Sequence, residues 1–292
     1  MLTFGTTTLP LVGWSADPQR HDESQMLRLS AIQKVVEGYG LQAVELTLDL
    51  AAVYPHLFDA GFYTAVADLQ QDLGFACTVH LPFLWVDPTS LNEPIRQTSI
   101  ACLRQAIAVT RTVEVRTYVL HLWGFTTMQI SAQLQEPAQR QEILGALMSQ
   151  ANRSLVELCQ ILDPHDLCVE NLEDSLFDQA LPLIEQHGTS ICFDVGHLAW
   201  QGISELDFLA RHHHRIREIH LHDVALPSAE SRHQIRDHLA LGKGQVDYLA
   251  LLSKLEESDY DGAVILEVNT RVDLEESLKR ISNHASFSAK NG

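Results

Sequence analysis

The sequence predicts an α/β protein built as one closed (β/α)8 barrel of the TIM type, and three observations predict it. Short apolar, strand-like runs alternate with stretches of helical periodicity, and the alternation recurs eight times along the chain. Six of these runs end on a histidine or a carboxylate, which a barrel explains economically because its strand C-termini all face one mouth. The 292 residues, 46% of them hydrophobic, supply the core of one barrel-sized domain, 1–292, and fall short of two full domains. An open doubly wound sheet is the competing architecture, but no G-x-G-x-x-G follows the first strand to support it.

The elements follow in order. Leu2 to Thr8 reads as the first strand and leads into a loop carrying Pro10, Gly13, Trp14 and Pro18. From Glu23 onward, Met26, Leu27, Leu29, Ile32, Val35 and Val36 recur at helical spacing and stop at the helix terminators Gly38 and Gly40. Ala43 to Leu50 is the second strand, and a helix from about Leu57 to Leu73 ends at Gly74. Phe75 to Phe83 is the third strand; a loop from Trp85 to Asn92 then precedes a long helix starting near Pro94, a good first-turn residue. Thr117 to Leu122 is the fourth strand, Ala138 to Leu162 a helix, and Leu167 to Leu172 the fifth strand. A helix over Leu176 to Gln186 ends at Gly188 and feeds the sixth strand, Ser190 to Val195. A short helix, Ser204 to His214, precedes the seventh strand, Arg217 to His222, which opens into a long loop over about 224–245. The chain closes with a helix from Tyr248 to Glu257, the eighth strand Ala263 to Val268, and a helix near Leu274 to Ile281.

Composition narrows the function classes. The formal charge of -18 repels polyanions, and no basic stripe of the kind that neutralises phosphates is visible, so a nucleic-acid partner is disfavoured. No apolar run approaches the roughly 18 residues of a membrane span, and the first residues enter a strand without a basic flank or cleavage-type segment. The five cysteines, Cys77, Cys102, Cys159, Cys168 and Cys192, are odd in number and form no C-x-x-C pair. That suits reduced thiols in a cytoplasm, makes zinc–thiolate chemistry unattractive, and leaves fifteen histidines as the ligand pool.

In a barrel, His80, His121, Glu170, Asp194, His220 and Glu267 converge on the mouth from separate strands. Taken singly, a strand-end histidine is more often a satisfied polar residue than a ligand. Burying all six without a counter-ion is costly, so the set points to divalent metal: Zn, Mn, Fe or Co, with a carboxylate able to bridge two ions. His197 follows Asp194 across Gly196, whose flexibility lets it face the same mouth. The loop after strand seven carries Arg232, His233, Arg236, His238 and Lys243, and this end of a barrel often holds phosphate. His222 shares a strand face with His220 and is a candidate pocket residue. Trp123 and Trp200 could wall a pocket or cap the core, and Glu45 and Glu173 could support the ligands or simply carry surface charge. His212, His213 and His214 end a helix and point in different directions, as a solvated turn would.

At these residues the sequence resembles the xylose isomerase-like TIM barrels, the superfamily of endonuclease IV and of sugar isomerases and epimerases, over nearly the whole chain. The resemblance implies one ion on His80, His121 and bridging Glu170, and a second on Glu170, Asp194, His220 and Glu267. His197 and His238 match two ligands of a third ion; the remaining carboxylate position falls on Arg236, with Asp237 one place off. A narrower resemblance, to the cobamide-remodelling phosphodiesterases, rests on the joint occurrence of several runs. These are Gly5-Thr6-Thr7-Thr8, Val44-Glu45-Leu46, Thr78-Val79-His80-Leu81-Pro82, Tyr118-Val119-Leu120-His121-Leu122, Val169-Glu170-Asn171-Leu172-Glu173, Asp194-Val195-Gly196-His197-Leu198 and Ile219-His220-Leu221-His222.

It implies a metal-dependent hydrolase that cleaves the phosphoester of the nucleotide loop of a corrinoid, using two divalent ions, with Zn or Mn foremost. Glu170 and Glu267 are then the catalytic carboxylates; Arg236, Lys243, His222, Trp123 and Glu45 meet the substrate, and Arg236, His238 and Lys243 are the cations that face a leaving oxygen. The first alternative is a sugar or sugar-phosphate isomerase or epimerase using one ion on Glu170, Asp194, His220 and Glu267, with the two glutamates as acid/base pair. An abasic-site endonuclease fits the ligands but not the charge. A corrinoid or sugar-phosphate binding protein without turnover is the alternative from another class. Oligomeric state is not legible in the sequence.

Overall fold

Strand alternation positions everything that follows, because it sends every second side chain to the inside of the sheet. The computed structural model describes residues 1–11, 29–53, 58–133, 136–173, 176–226 and 236–282. Eight parallel strands close into a barrel: β1 (Thr3–Thr7), β2 (Ala43–Thr47), β3 (Ala76–His80), β4 (Val115–Leu120), β5 (Leu167–Glu170), β6 (Ser190–Asp194), β7 (Ile216–Leu221) and, after a two-stranded ribbon of β8 (Asp223–Ala225) and β9 (Arg236–Leu239), β10 (Ala263–Leu266). β1 pairs with both β2 and β10, which closes the ring. The β1–β2 approach requires Gly5, since a Cβ there would meet Ala43.

The large core lies between strands and helices, where outward residues such as Val44, Val79, Ile219 and Val264 meet helix residues such as Val66, Leu103, Leu155 and Leu251. Two small clusters stand apart from it, Ala43 with Ala263 and Ile265, and Val119 with Cys168 and Cys192. By the period of two they share the inner face with the strand-end donors: Cys168 precedes Glu170, Cys192 precedes Asp194, and Ile265 precedes Glu267. Those small clusters lie in the barrel's lower layers together with the buried Glu45 and Glu218, and the strand-end carboxylates and imidazoles occupy the uppermost one. Register sets Asp194 beside His220 and His220 beside Ile265, two positions before Glu267.

Predicted strands three, five and eight are longer than the observed ones, because each prediction ran past the donor residue into the turn that follows it. In the third, the Asp49 carboxylate accepts the N–H groups of Phe83 and Leu84 and bends the chain away after His80. Three short helices, Asp49–Val53, Phe125–Gln133 and Val195–Gln201, sit just beyond strand ends; the first takes in Asp49 and Leu50, expected in the second strand, and the third takes in Val195, expected in the sixth. The helix predicted from Leu57 begins at Ala60, with Asp59 accepting the Phe62 N–H as its N-cap.

The long loop predicted over 224–245 contains the antiparallel β8–β9 ribbon. The Asp223 carboxylate fastens its base by accepting from the N–H groups of Val224, Gly242, Gly244 and Val246. The expected loop residues Gly13, Trp14 and Pro18, the helix start at Glu23 to Leu27, and the cations Arg232 and His233 lie outside the described residues. No described helix is long and apolar enough to cross a membrane.

Candidate metal centre

Glu170, Asp194, His220 and Glu267 stand at the C-terminal ends of β5, β6, β7 and β10, and all four are buried. Their ligating atoms lie within 4.8 Å of one another. His220 Nδ1 is 3.0 Å from Glu267 Oε2, 3.4 Å from Glu170 Oε1 and 3.9 Å from Asp194 Oδ2. On the β3–β4 side, His80 Nε2 and His121 Nε2 approach Glu170 Oε2 at 3.3 and 2.9 Å. The six predicted donors thus form one continuous cluster, with Glu170 in contact with both histidines and with His220.

The local sequence explains the placement. Asn171, next to Glu170, ties β5 to β6: its side chain donates to the Asp194 carbonyl at 2.7 Å and accepts the Asp194 N–H at 2.9 Å. Asp194 also caps the helix Val195–Gln201, accepting the His197 N–H at 2.7 Å, and this short helix carries His197 back over the mouth. Phe83 packs against His121, with ring centroids 4.5 Å apart, and against His80 at 5.2 Å, walling the third-strand side.

Hydrogen bonding fixes which ring nitrogens face inward. His80 Nδ1 lies 2.9 Å from the Leu81 carbonyl and His197 Nδ1 lies 3.0 Å from the Asn171 carbonyl. Carbonyl oxygens only accept, so these nitrogens carry the protons, and the Nε2 atoms of His80 and His197 turn toward carboxylates. Glu170 Oε2, His220 Nδ1 and Glu267 Oε2 are buried and close to their neighbours, yet none makes a hydrogen bond of acceptable geometry. Buried polar atoms without a hydrogen-bond partner are costly, and a cation shared among them would offset that cost.

The electrostatics agree. Burial opposes charging His80, but the Glu170 carboxylate against it, with Glu45 and Glu267 behind, pushes its pKa up to about 10. His197 is likewise driven up to about 9, against burial, by Asp194, Glu173 and Glu170. Despite burial, Glu170 and Glu267 are held well below the usual carboxylate range, Glu170 by His121 and His220, Glu267 by His220 and His238. Among the described residues no lysine or arginine forms an ion pair with Glu170, Asp194 or Glu267. A pocket that draws positive charge onto buried imidazoles also attracts a cation, and these donors, all nitrogen or oxygen, fit a divalent one.

A second group sits beside the first. His197, His222 and His238 bring ring nitrogens within 4.8 Å of one another, and Glu173, His197 and Asp237 do the same. Here several expectations change. The carboxylate facing His197 and His238 belongs to Asp237, not to position 236: Asp237 Oδ2 is 3.9 Å from His197 Nε2 and 3.6 Å from His238 Nδ1, while Arg236 is exposed on the ribbon. Burial resists, but His222 and its neighbouring imidazoles hold Asp237 down at about 2. Alternation along β9 brings 237 rather than 236 inward, and the left-handed φ of His238, +52°, turns its ring over His222.

Other expected substrate contacts are placed elsewhere. His222 is fully buried, with Nε2 3.1 Å from both Asp194 oxygens and its ring stacked on His238, so it backs the ligands instead of lining open space. Lys243 is exposed and pairs with Asp273 at 3.2 Å and with Glu276, because Gly242 and Gly244 on either side are fastened to Asp223. Trp123 is only 2% exposed and packs in the outer core. Glu45 is fully buried beneath His220, with Oε2 3.1 Å from Nε2. Sequence reasoning missed Asn171, Phe83 and Asp223 as builders of the site; their adjacency to Glu170, Pro82 and His222 was the available signal.

The comparisons with known proteins come to the same architecture. A family model described as xylose isomerase-like TIM barrel matches residues 34–284. An uncharacterized protein of Methanocaldococcus jannaschii is 25% identical over 210 residues, 68% of this chain and 67% of its own length. The inosose dehydratase of Lacticaseibacillus casei is 30% identical over 102 residues, so the match spans about a third of either protein, 31% and 34%. Among solved structures, a D-tagatose 3-epimerase-like protein superposes with a TM-score of 0.70 at 19% identity, covering 96% of each chain. The 3-keto-D-glucoside 4-epimerase YcjR of E. coli gives a TM-score of 0.69 at 14% identity, covering 97% of this chain and 98% of its own. Likeness at these identities shows a shared fold, whereas the family model covers most of the chain: this protein belongs to the xylose isomerase-like TIM barrel family.

Proposed function

We propose that the protein is a metal-dependent enzyme acting on a small polyhydroxylated ketone, moving a proton at the carbon next to the carbonyl in an epimerase, isomerase or dehydratase reaction. The observation that carries this reading is the four-donor cluster of Glu170, Asp194, His220 and Glu267, with ligating atoms within 4.8 Å of one another. Three carboxylates and one imidazole suit Mn, Co or Zn. When bound, such an ion supplies Lewis acidity, gripping neighbouring substrate oxygens and making the intervening C–H bond more acidic.

The chain's own residues do the proton work. Glu170 and Glu267 form the acid/base pair: one, as carboxylate, takes the proton from carbon; in a dehydration it passes that same proton to the departing hydroxyl, and in an epimerisation the other glutamate enters the turnover protonated and gives its proton to the opposite face, the two exchanging states. Glu267 is the more open to the mouth, its side chain 10% exposed against 1% for Glu170, which suits first contact with substrate. Asp194 and His220 hold the donor geometry, and Phe83 with His121 excludes water from one side. The inosose dehydratase relatives and the epimerase-like structures support this reading, as does a charge of -18 that disfavours nucleic acid.

A second reading, a cobamide phosphodiesterase, is favoured by a different observation. His80 and His121 against Glu170, and the His197–His222–His238 group, offer more donors than one ion uses. One experiment separates the two. Metal-reconstituted protein is incubated in D2O with inosose and a panel of ketohexoses, and in parallel with adenosylcobalamin under anaerobic conditions. Deuterium entering the carbon next to a carbonyl, slowed about 10²- to 10⁴-fold in Glu267→Gln, is the expected result. No exchange on any ketone, together with nucleoside release from the corrinoid and two or more ions per chain, would replace the first reading by the second.

A further inference from the structure

Beneath the donor cluster lies a polar layer that the proposed chemistry does not use. Glu45, inside β2, is fully buried, and its Oε2 is 3.1 Å from His220 Nε2. Register places Glu45 beside Thr7 on β1 and Thr78 on β3. Glu218, one inward position before His220 on β7, is also fully buried, and it accepts a hydrogen bond from Thr117. Glu45, Glu218 and His220 bring their polar atoms within 4.8 Å of one another. Both Glu45 Oε1 and Glu218 Oε1 are without a hydrogen-bond partner.

Two buried carboxyl groups in the interior of a barrel are costly, and packing does not require them, since the neighbouring inner positions are filled by Ala43, Ala263 and Ile265. His220 gives them a purpose. Its two nitrogens face opposite environments, Nε2 downward to one carboxylate of Glu45, Nδ1 upward to three donors. A neutral imidazole has one proton, and the nitrogen that donates it cannot ligate. An imidazole that loses its lower acceptor is free to exchange tautomers or rotate, and its upper nitrogen is then protonated part of the time.

The geometry points to Glu45 as the positioning residue of the centre: it holds the proton of His220 on Nε2 and so presents the Nδ1 lone pair to the cation shared with Glu170, Asp194 and Glu267. Outer partners of ligating histidines commonly act in this way, raising ligand basicity and fixing ring orientation. Glu45 is fully buried below the mouth, and its hydrogen bond into the centre is to His220. The inference rests on the reading of the upper cluster as a metal centre.

The test uses metal-stripped full-length protein titrated with Mn2+ and with Zn2+ by calorimetry, wild type beside Glu45→Gln, which keeps the shape and removes the charge. The expected loss of affinity is about 10- to 100-fold. In parallel, long-range 1H–15N spectra of the Zn2+-loaded wild type, with His220 assigned by difference from His220→Gln, read the tautomer directly and need no variant at position 45. The expected form is Nε2–H in the wild type, with mixed tautomers in Glu45→Gln. A purely structural role would lower the melting temperature while leaving both affinity and tautomer unchanged, and that result overturns the inference. So does a Zn2+-loaded wild-type His220 protonated on Nδ1. A wild type that binds neither ion overturns the metal reading itself, whereas tight wild-type binding that survives undiminished in Glu45→Gln removes only the role of Glu45.

Discussion

At the scale of single residues, the centre depends on close approaches that leave no room for change. Gly196 lies against the His222 ring, and a Cβ at that position would fall on its carbon and nitrogen atoms. Gly196→Ala therefore forces His222 off Asp194, with an expected loss of about 1–3 kcal/mol in thermal or denaturant unfolding and a fall in ion affinity alongside. Asp237 makes a second test. Its folded pKa of about 2 lies below the ordinary 3.8, so its ionisation contributes stability that is fully present above about pH 4 and is lost as pH falls through 2. Asp237→Asn should cost the metal-free protein about 2 kcal/mol at pH 7, and urea unfolding at several pH values should show that difference closing at the acid end. The donors were legible because a strand delivers a His, Glu or Asp at its end in a recognisable pattern. Asp237 was not, because its side-chain direction depends on where the ribbon's alternation begins, which Asp223 and a left-handed His238 decide.

At the scale of elements, the ribbon after β7 is the unit that completes the second donor group. It is short and mostly buried or half-buried, and one carboxylate, Asp223, fastens its base through four backbone N–H groups. Asp223→Ala leaves those donors without acceptor, and hydrogen bonds to a charged group contribute on the order of 1.5–3 kcal/mol. The expected outcome is destabilisation of about 3 kcal/mol with early proteolytic cleavage near β9, while the barrel's far-UV circular dichroism is retained. Unchanged protease resistance would show that the ribbon is held otherwise. The ribbon escaped sequence reasoning because strands of three and four residues carry too little periodicity to be seen. The short helices beyond β4 and β6 escaped for a related reason: their turns are set by contacts at the mouth, as when Asp194 caps Val195–Gln201.

At the scale of the whole molecule, the barrel gathers buried carboxylates and histidines that a bound cation would balance, so ion removal should be felt globally. Chelation followed by dialysis should lower the melting temperature; at free ion of 100 Kd the linkage is about 2.7 kcal/mol, or roughly 5–10 °C for a chain of this size. Re-addition of Mn or Zn should restore it, and a melting temperature indifferent to chelator would argue that no ion is bound. By itself the sequence determined the eightfold alternation, the closed barrel and the six residues at the mouth, because strand period and strand-end chemistry are local properties. Tertiary structure alone decided which histidine nitrogens face inward, that Asp237 displaces Arg236, that Lys243 pairs with the last helix, and that Glu45 stands under His220. Those depend on register between strands distant in sequence and on which polar atoms the closed barrel and its loops bring together.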